Sequence, residues 1–219
     1  MTRYTGAIFD MDGVLLDTER VYQQTWRELA DEMGVTLVEG FTEAVSGTNG
    51  DVMDRVIQRF YHVPDGRPIM TACKARIRQK LSQSVPVKAG VREILDFFRA
   101  SGLRIAVASS SVRQQIISNL ELSGLNHYID AVVSGEDVST GKPDPEIFLT
   151  AARALGCQPE QCFVFEDSMS GVMAGHAAGC DTVMVPDLIA PTPEILPMCF
   201  RVCESLTDAL REVKNVMSR

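Results

Sequence analysis

The sequence predicts a doubly wound α/β domain with an all-helical domain inserted into it. Three observations lead there. Short apolar runs alternate with amphipathic helical patterns along most of the chain. Polar signatures follow the runs directly, at the carboxyl ends of the strands they predict. The interval between the first two runs is far longer than a strand-helix-strand unit needs.

The first run is Ala7-Ile8-Phe9, and Asp10-Met11-Asp12-Gly13 follows it at once. Alternate side chains of an extended segment face the same way, so both carboxylates point to one side. Gly13 then permits a turn that a side chain would forbid. Two like charges held this close call for a bound cation, a shared proton or both. An ordinary solvated turn at a strand end has the same composition, so the four residues alone leave the choice open.

Val14 through Gly102 separates the first run from the second. Val91, Ile94, Leu95 and Phe98 form one face of the expected crossover helix. Ahead of it lie three further amphipathic patterns: Val21, Trp26, Leu29 and Met33; Val52, Val56, Ile57 and Phe60; and Ile69, Cys73, Ile77 and Leu81. The expected division is a core of residues 1–15 and 87–219 and a helical cap of residues 16–86. A cap that leaves just beyond the paired acids would sit over the carboxyl ends of the strands, where open α/β sheets bind ligands, and could exclude water.

The second run, Leu103 through Ala108, leads into Ser109-Ser110-Ser111, whose hydroxyls and free N–H groups suit phosphate or a helix cap equally. Ser111-Val112-Arg113-Gln114 has the form of a capping box, and Val112, Ile116, Ile117 and Leu120 make the helix face that follows. After the third run, Ala131-Val132-Val133, comes Gly141-Lys142-Pro143-Asp144-Pro145. Its Lys142 could bring one point charge to an anion or stay a solvated surface group. The helix bearing Ile147, Phe148, Ala151 and Leu155 stops at Gly156. The fourth run, Cys162 through Phe165, ends in Glu166-Asp167-Ser168, hard oxygen donors of the kind magnesium takes. A Gly- and Ala-rich helix near 170–178 should pack close to the sheet, and Thr182 through Val185 makes the fifth strand. Phe200-Arg201-Val202 can add an edge strand ahead of a last helix with Leu206, Leu210, Val213 and Met217.

Composition narrows the class. The 219 residues are 45% hydrophobic and 23% charged, which fits a soluble globular chain whose core needs no disulfide. The six cysteines include no Cys-x-x-Cys pair, so buried reduced thiols are expected. His62, His127 and His176 stand apart, with no partner at metal-ligand spacing. A net charge of −8 argues against nucleic acid and anionic membranes as partners. No signal peptide or bilayer-spanning run is visible, so the cytoplasm is the expected location, and a monomer the expected state. An acidic protein that binds an anion must build positive potential locally. Asp10, Asp12, Ser109, Ser110, Lys142, Glu166 and Asp167 all fall where one crevice could collect them.

With those residues in order, the chain resembles the haloacid dehalogenase superfamily, in the helical-cap subgroup that includes β-phosphoglucomutase. Asp10-x-Asp12-Gly13-x-Leu15-x-Asp17-Thr18, then Ser109, Lys142-Pro143 and Glu166-Asp167 carry the likeness across nearly the whole chain. The resemblance implies a magnesium-dependent phosphatase that hydrolyses a small phosphomonoester, such as a sugar or polyol phosphate, through an aspartyl phosphate. It implies Asp10 as nucleophile and Asp12 as general acid and base, with Ser109 and Lys142 on the phosphoryl group. Magnesium would take the Asp10 side chain, the Asp12 carbonyl and Asp167, with Glu166 helping directly or through water.

The likeness has departures. Tyr22 stands where the mutase has a cap His, and Ser46 and Gly50 stand where it has a cap Lys and Arg. Hydrolysis rather than mutase chemistry is therefore expected, with Tyr22, Trp26, Gly47 and Asn49 as substrate contacts from the cap. A β-phosphoglucomutase-like phosphotransferase is the alternative. A non-enzymatic alternative is a receiver-type signalling domain, which would place its phosphorylated Asp after a middle strand and carry no large insert.

Overall fold

The computed structural model describes residues 3–218, apart from 46, 47 and 49 and the side chain of Glu43. The chain divides into two compact units. One runs through Asp17 and resumes at Pro86, and the other is Thr18–Val85.

Among the described residues of the first unit, six strands form one parallel sheet. They are β1 (Gly6–Phe9), β2 (Arg104–Ser109), β3 (Ala131–Ser134), β4 (Cys162–Glu166), β5 (Asp181–Met184) and β6 (Arg201–Val202). Their spatial order is β3-β2-β1-β4-β5-β6. The second unit holds α1 (Thr18–Glu32), α2 (Phe41–Val45), α3 (Gly50–Tyr61) and α4 (Arg67–Gln83). The sheet is flanked by α5 (Val91–Ala100), α6 (Arg113–Ser123), α7 (Glu146–Leu155), α8 (Met169–Ala177) and α9 (Leu206–Met217). The predicted class, a doubly wound parallel sheet with helices on both faces, is the one observed.

Alternation along β1 and β4 sends neighbouring residues to opposite faces. Phe9 stacks on Phe165 with centroids 4.5 Å apart, and both meet Phe98 of α5. Ile8 and Val164 face the other way, into a cluster with Ile147, Phe148 and Ala151 of α7. All of these residues are fully buried or within 1% of it, and each large one contributes about 1.5–3 kcal/mol of burial. On α8, Gly171, Val172, Ala174 and Gly175 are buried, as its small residues predict.

The segments that lead out to the second unit and back are tied together on the first. Gly13, at φ +86°, turns the chain after the paired acids, and its N–H donates to Leu16 O at 3.0 Å. Leu16 then bridges antiparallel to Val87, Asp17 N donates to Pro86 O at 2.9 Å, and Lys88 N donates to Leu15 O at 3.0 Å.

In the second unit, Trp26, Phe41 and Tyr61 pack edge to face, with centroids 5.8–6.3 Å apart. The Tyr61 hydroxyl donates to Trp26 O at 2.6 Å. Ile69, Cys73, Ile77 and Leu81 are buried on α4. The ion pairs Arg76–Glu32 and Lys80–Glu28, both at 2.6 Å, are part-exposed and screened by solvent, so they add little. The apolar interior therefore holds this unit.

Three expectations are corrected, and one helix is added. No capping box forms at Ser111: α6 begins one residue later with Val112 as its N-cap, and Glu136 accepts the Arg113 N–H at 2.9 Å. Val112 and Ile117 are 51% and 42% exposed, because α6 covers the edge strand β3 and has no sheet beyond it. Met33 and Val52 are likewise exposed, Met33 because α1 ends at Glu32. The five-residue α2 was not anticipated, being too short to show a helical period. All six cysteines are free thiols, and five of them are buried.

Candidate active site

β1 lies between β2 and β4, so the sheet's order reverses beside it. Open α/β sheets form their binding crevice at that point, past the carboxyl ends of the strands. The register pairs Phe9 with Val107 on one side and with Phe165 on the other. Asp10, the next residue, therefore stands level with Glu166 at the end of β4 and with Ala108, one residue before the end of β2 at Ser109. Asp10 N donates to Phe165 O at 2.9 Å, which fixes the backbone there.

A crevice of about 340 Å³ opens at this place. Asp10, Asp12, Ser109, Ser110, Lys142 and Asp167 line it together, with Ser111, Ser168 and Ser170. Lys142 comes from the loop before α7 and reaches back across β2. Its Nζ donates to Asp10 Oδ1 at 2.5 Å, to Glu166 Oε1 at 2.6 Å and to Ala108 O at 3.3 Å. The three donors of the ammonium are thus all used, and Nζ also lies 5.0 Å from the Phe148 ring centroid. The side chains of Lys142, Asp10 and Glu166 are 6%, 11% and 1% exposed.

The electrostatics follow from crowding. Burial opposes the charge on Lys142, but Asp10 and Glu166 outweigh it and hold the ammonium above the ordinary lysine range. Burial pushes Asp10 well above the ordinary carboxylate range; Lys142 pulls it back, while Glu166 and Asp167 add to the rise. Asp167 is pushed up to about 7, first by burial and then by the charge of Glu166. Two buried carboxylates and the half-buried Asp167 crowd one ammonium, and that deficit of positive charge favours a cation.

The donors present fit magnesium. Asp10 and Asp167 offer hard carboxylate oxygens, and Asp167 Oδ2 packs so tightly on the turn at Gly13 that a Cβ there would overlap it. Among the described residues, no group of three or more His, Cys, Asp or Glu side chains forms a complete metal cage. Magnesium does not need one, because it keeps several waters and binds through one or two carboxylates and a substrate phosphate.

This crowding has a consequence for stability. The unfolded chain releases the Asp167 proton near 3.8, and the fold keeps it to about 7. Between those values the native state binds more protons, so stability of the metal-free protein falls as pH rises. A magnesium ion held by these carboxylates would take the deprotonated form, so the stabilisation it gives should grow as pH rises through 7. At a hundredfold excess over Kd that is about 2.7 kcal/mol. Thermal melts at pH 5.5 and 8 with and without magnesium check this, and a larger shift at pH 5.5 would contradict it.

Asp12 lines the crevice half-buried and accepts from Ser111 Oγ at 3.3 Å. Ser109 is 2% exposed, and its Oγ accepts the Ser111 N–H at 3.2 Å. Glu166 is not in the crevice lining. One of its oxygens holds Lys142, and the other is turned into the loop that follows β4.

On the second unit, Tyr22 is 38% exposed on α1. Trp26 is 4% exposed, so its ring is spent mainly on the interior of that unit, with an edge on a hollow of about 270 Å³ that Gln23, Arg27 and Phe41 also line. Gly47 and Asn49 lie outside the described residues. Ser111 and Ser168, which belong to the strand-end segments read from the sequence, also line the crevice, and sequence reasoning missed Ser170.

A family model for haloacid dehalogenase-like hydrolases matches residues 7–185. The phosphorylated carbohydrates phosphatase of Thermotoga maritima is 33% identical over 180 residues, covering 80% of this chain and 82% of that protein. The fructose-1-phosphate phosphatase of Escherichia coli is 34% identical over 188 residues, covering 84% and 97%. A crystal structure of a haloacid dehalogenase family hydrolase from Deinococcus radiodurans, described with bound phosphate and sodium, superposes with a TM-score of 0.85. It is 25% identical, and the match covers 99% of this chain and 97% of that one.

Proposed function

We infer that this chain, which belongs to the haloacid dehalogenase-like hydrolases, is a magnesium-dependent phosphatase of a small sugar or polyol phosphate. The observation that carries the reading is Lys142, buried between Asp10 and Glu166 at 2.5 and 2.6 Å in a crevice lined by acids and serines. The kinship with phosphatases of phosphorylated carbohydrates supports the substrate class.

Phosphoryl transfer asks for positioning and charge neutralisation more than for bond-making by the protein. Asp10 is the nucleophile: its carboxylate attacks phosphorus in line, the bond to the leaving oxygen breaks, and an aspartyl phosphate forms. Lys142 holds that carboxylate in place, and its 3.3 Å contact with Ala108 O is the one a phosphoryl oxygen replaces. Ser109 and the loop N–H groups after β2 complete the phosphate cradle. Asp12 protonates the leaving alcohol and, as carboxylate, then takes a proton from the attacking water. Asp10, the Asp12 carbonyl and Asp167 would hold magnesium, which supplies charge neutralisation between carboxylate and phosphate.

The alternatives fare less well. Lys142 is the sole cation among the crevice-lining residues. Arg113, the nearest base after β2 in the chain, is committed to Asp137 at 2.6 Å and Val132 O at 3.1 Å. A mutase must grip a second phosphate, and among the described residues the crevice lining offers it no second cation. A receiver would need a free Asp after a middle strand. Asp137 follows β3, but its Oδ2 already accepts from Ser134 N, Ser134 Oγ and Arg113.

The test is a screen of phosphorylated metabolites with magnesium and with chelator, run beside Asp12→Asn. Chelator should stop phosphate release. In kcat/KM, which reads the first transfer, Asp12→Asn should cost about 10²–10⁴-fold on alkyl phosphates and less on aryl phosphates, whose leaving group needs little protonation. Turnover that survives chelation, or an equal loss on both ester classes, would contradict the roles assigned to the metal or to Asp12 as acid.

A further inference from the structure

Besides a 3.4 Å contact with Ser170 Oγ, the Ser168 hydroxyl makes two closer hydrogen bonds at once, and they serve different ends. As N-cap of α8, its Oγ accepts the Gly171 N–H at 3.0 Å. The same hydroxyl donates its one proton to Glu166 Oε2 at 2.9 Å. That oxygen also accepts the backbone N–H groups of Asp167 and Ser168, both at 3.0 Å. Three donors saturate Oε2, since a carboxylate has about four acceptor sites over both oxygens. The carboxylate plane is thereby fixed, and Oε1 is presented to Lys142 at 2.6 Å. Gly171 leaves the room this needs, because a Cβ at that position would overlap the Glu166 carboxylate.

We propose that Ser168 is a positioning residue. Its hydroxyl orients Glu166, Glu166 holds Lys142, and Lys142 is thereby set against Asp10 and the phosphoryl site, with Gly171 clearing the space. The proposal rests on the phosphatase reading of the crevice and adds the residue that aligns its one cation.

Capping alone makes a different prediction. A helix N-cap tolerates Gly at a cost of a few tenths of a kcal/mol, whereas orienting Glu166 requires the hydroxyl proton. Thr supplies both functions and Gly supplies neither side-chain bond. The experiment compares Ser168→Gly and Ser168→Thr with the full-length wild type, with thermal melts to confirm folding. Three quantities are read: Kd for magnesium alone, Kd for inorganic phosphate at saturating magnesium, and kcat. Misplacing a phosphate-binding group by an ångström can cost 10²-fold, so Ser168→Gly should weaken phosphate binding and kcat by about tenfold or more. Ser168→Thr should recover both to within about threefold, and Kd for magnesium alone should stay within about threefold in both variants, since Asp10 and Asp167 are untouched.

Wild-type phosphate affinity in Ser168→Gly would reduce Ser168 to a cap and overturn the proposal. So would a Thr variant as impaired as Gly, or a loss of magnesium affinity parallel to that of phosphate. A wild type that binds magnesium and phosphate yet hydrolyses no phosphomonoester would defeat the phosphatase reading alone, because the binding comparison still tests Ser168.

Discussion

Asp10→Asn should abolish turnover and leave a folded, more stable metal-free protein. The side chain is nearly isosteric, so the backbone bond to Phe165 O and the packing at the end of β1 survive. What is lost is the nucleophile, and removing a covalent nucleophile costs on the order of 10⁴-fold or more. The stability effect has the opposite sign. Burial, with Glu166 and Asp167 nearby, lifts the Asp10 carboxylate well above its ordinary range, so its charge at pH 8 is a net cost to the metal-free fold. The amide removes that cost. Steady-state kinetics and melts at pH 8 without metal check both halves. An Asp10→Asn enzyme with appreciable turnover would remove the nucleophile assignment.

Lys142→Met should damage activity and stability together. The ammonium is 6% exposed and bonds two buried carboxylates. Breaking a buried charge pair by removing one partner costs about 3–5 kcal/mol, because the other partner stays buried and unpaired. Here two stay behind, so the metal-free variant should be strongly destabilised at neutral pH and partly rescued by acid, which protonates them. Loss of one charge-stabilising donor also costs about 10²–10³ in kcat. Lys142→Arg should not restore activity, since a planar fork cannot occupy the site of a point charge held by Asp10, Glu166 and Ala108 O. Melts across pH, with kinetics at saturating magnesium, test this. A Met variant as stable as the wild type in metal-free buffer at pH 7.5 would show that the carboxylates do not depend on Lys142.

Much of this was legible in the sequence because a parallel sheet buries its strands on both faces, so β1, β2, β4 and β5 read as apolar runs. The crevice was legible because acids, serines and a lysine each follow a strand end, where topology alone collects them. Other features depend on geometry that a string of residues does not carry. Ser111 reads as a cap, but α6 starts one residue later and the hydroxyl reaches Asp12 instead. Ile117 reads as core, but α6 lies over an edge strand and leaves that side chain in solvent. Glu166 and Asp167 read as adjacent acids, with Asp167 on the metal and Glu166 helping directly or through water. In the structure the pleat separates them: Asp167 lines the crevice, and Glu166 turns away to hold Lys142.

The most direct test of the account is to catch the phosphoryl group on the protein. Asp12→Asn should slow attack by water on the aspartyl phosphate, so that variant is mixed with an aryl phosphate and magnesium and quenched in acid. Peptide mass mapping then locates the adduct. One phosphoryl group per chain on Asp10, absent in Asp12→Asn combined with Asp10→Asn, is the predicted result. Phosphate release with no adduct at Asp10, or an adduct on another residue, would contradict it.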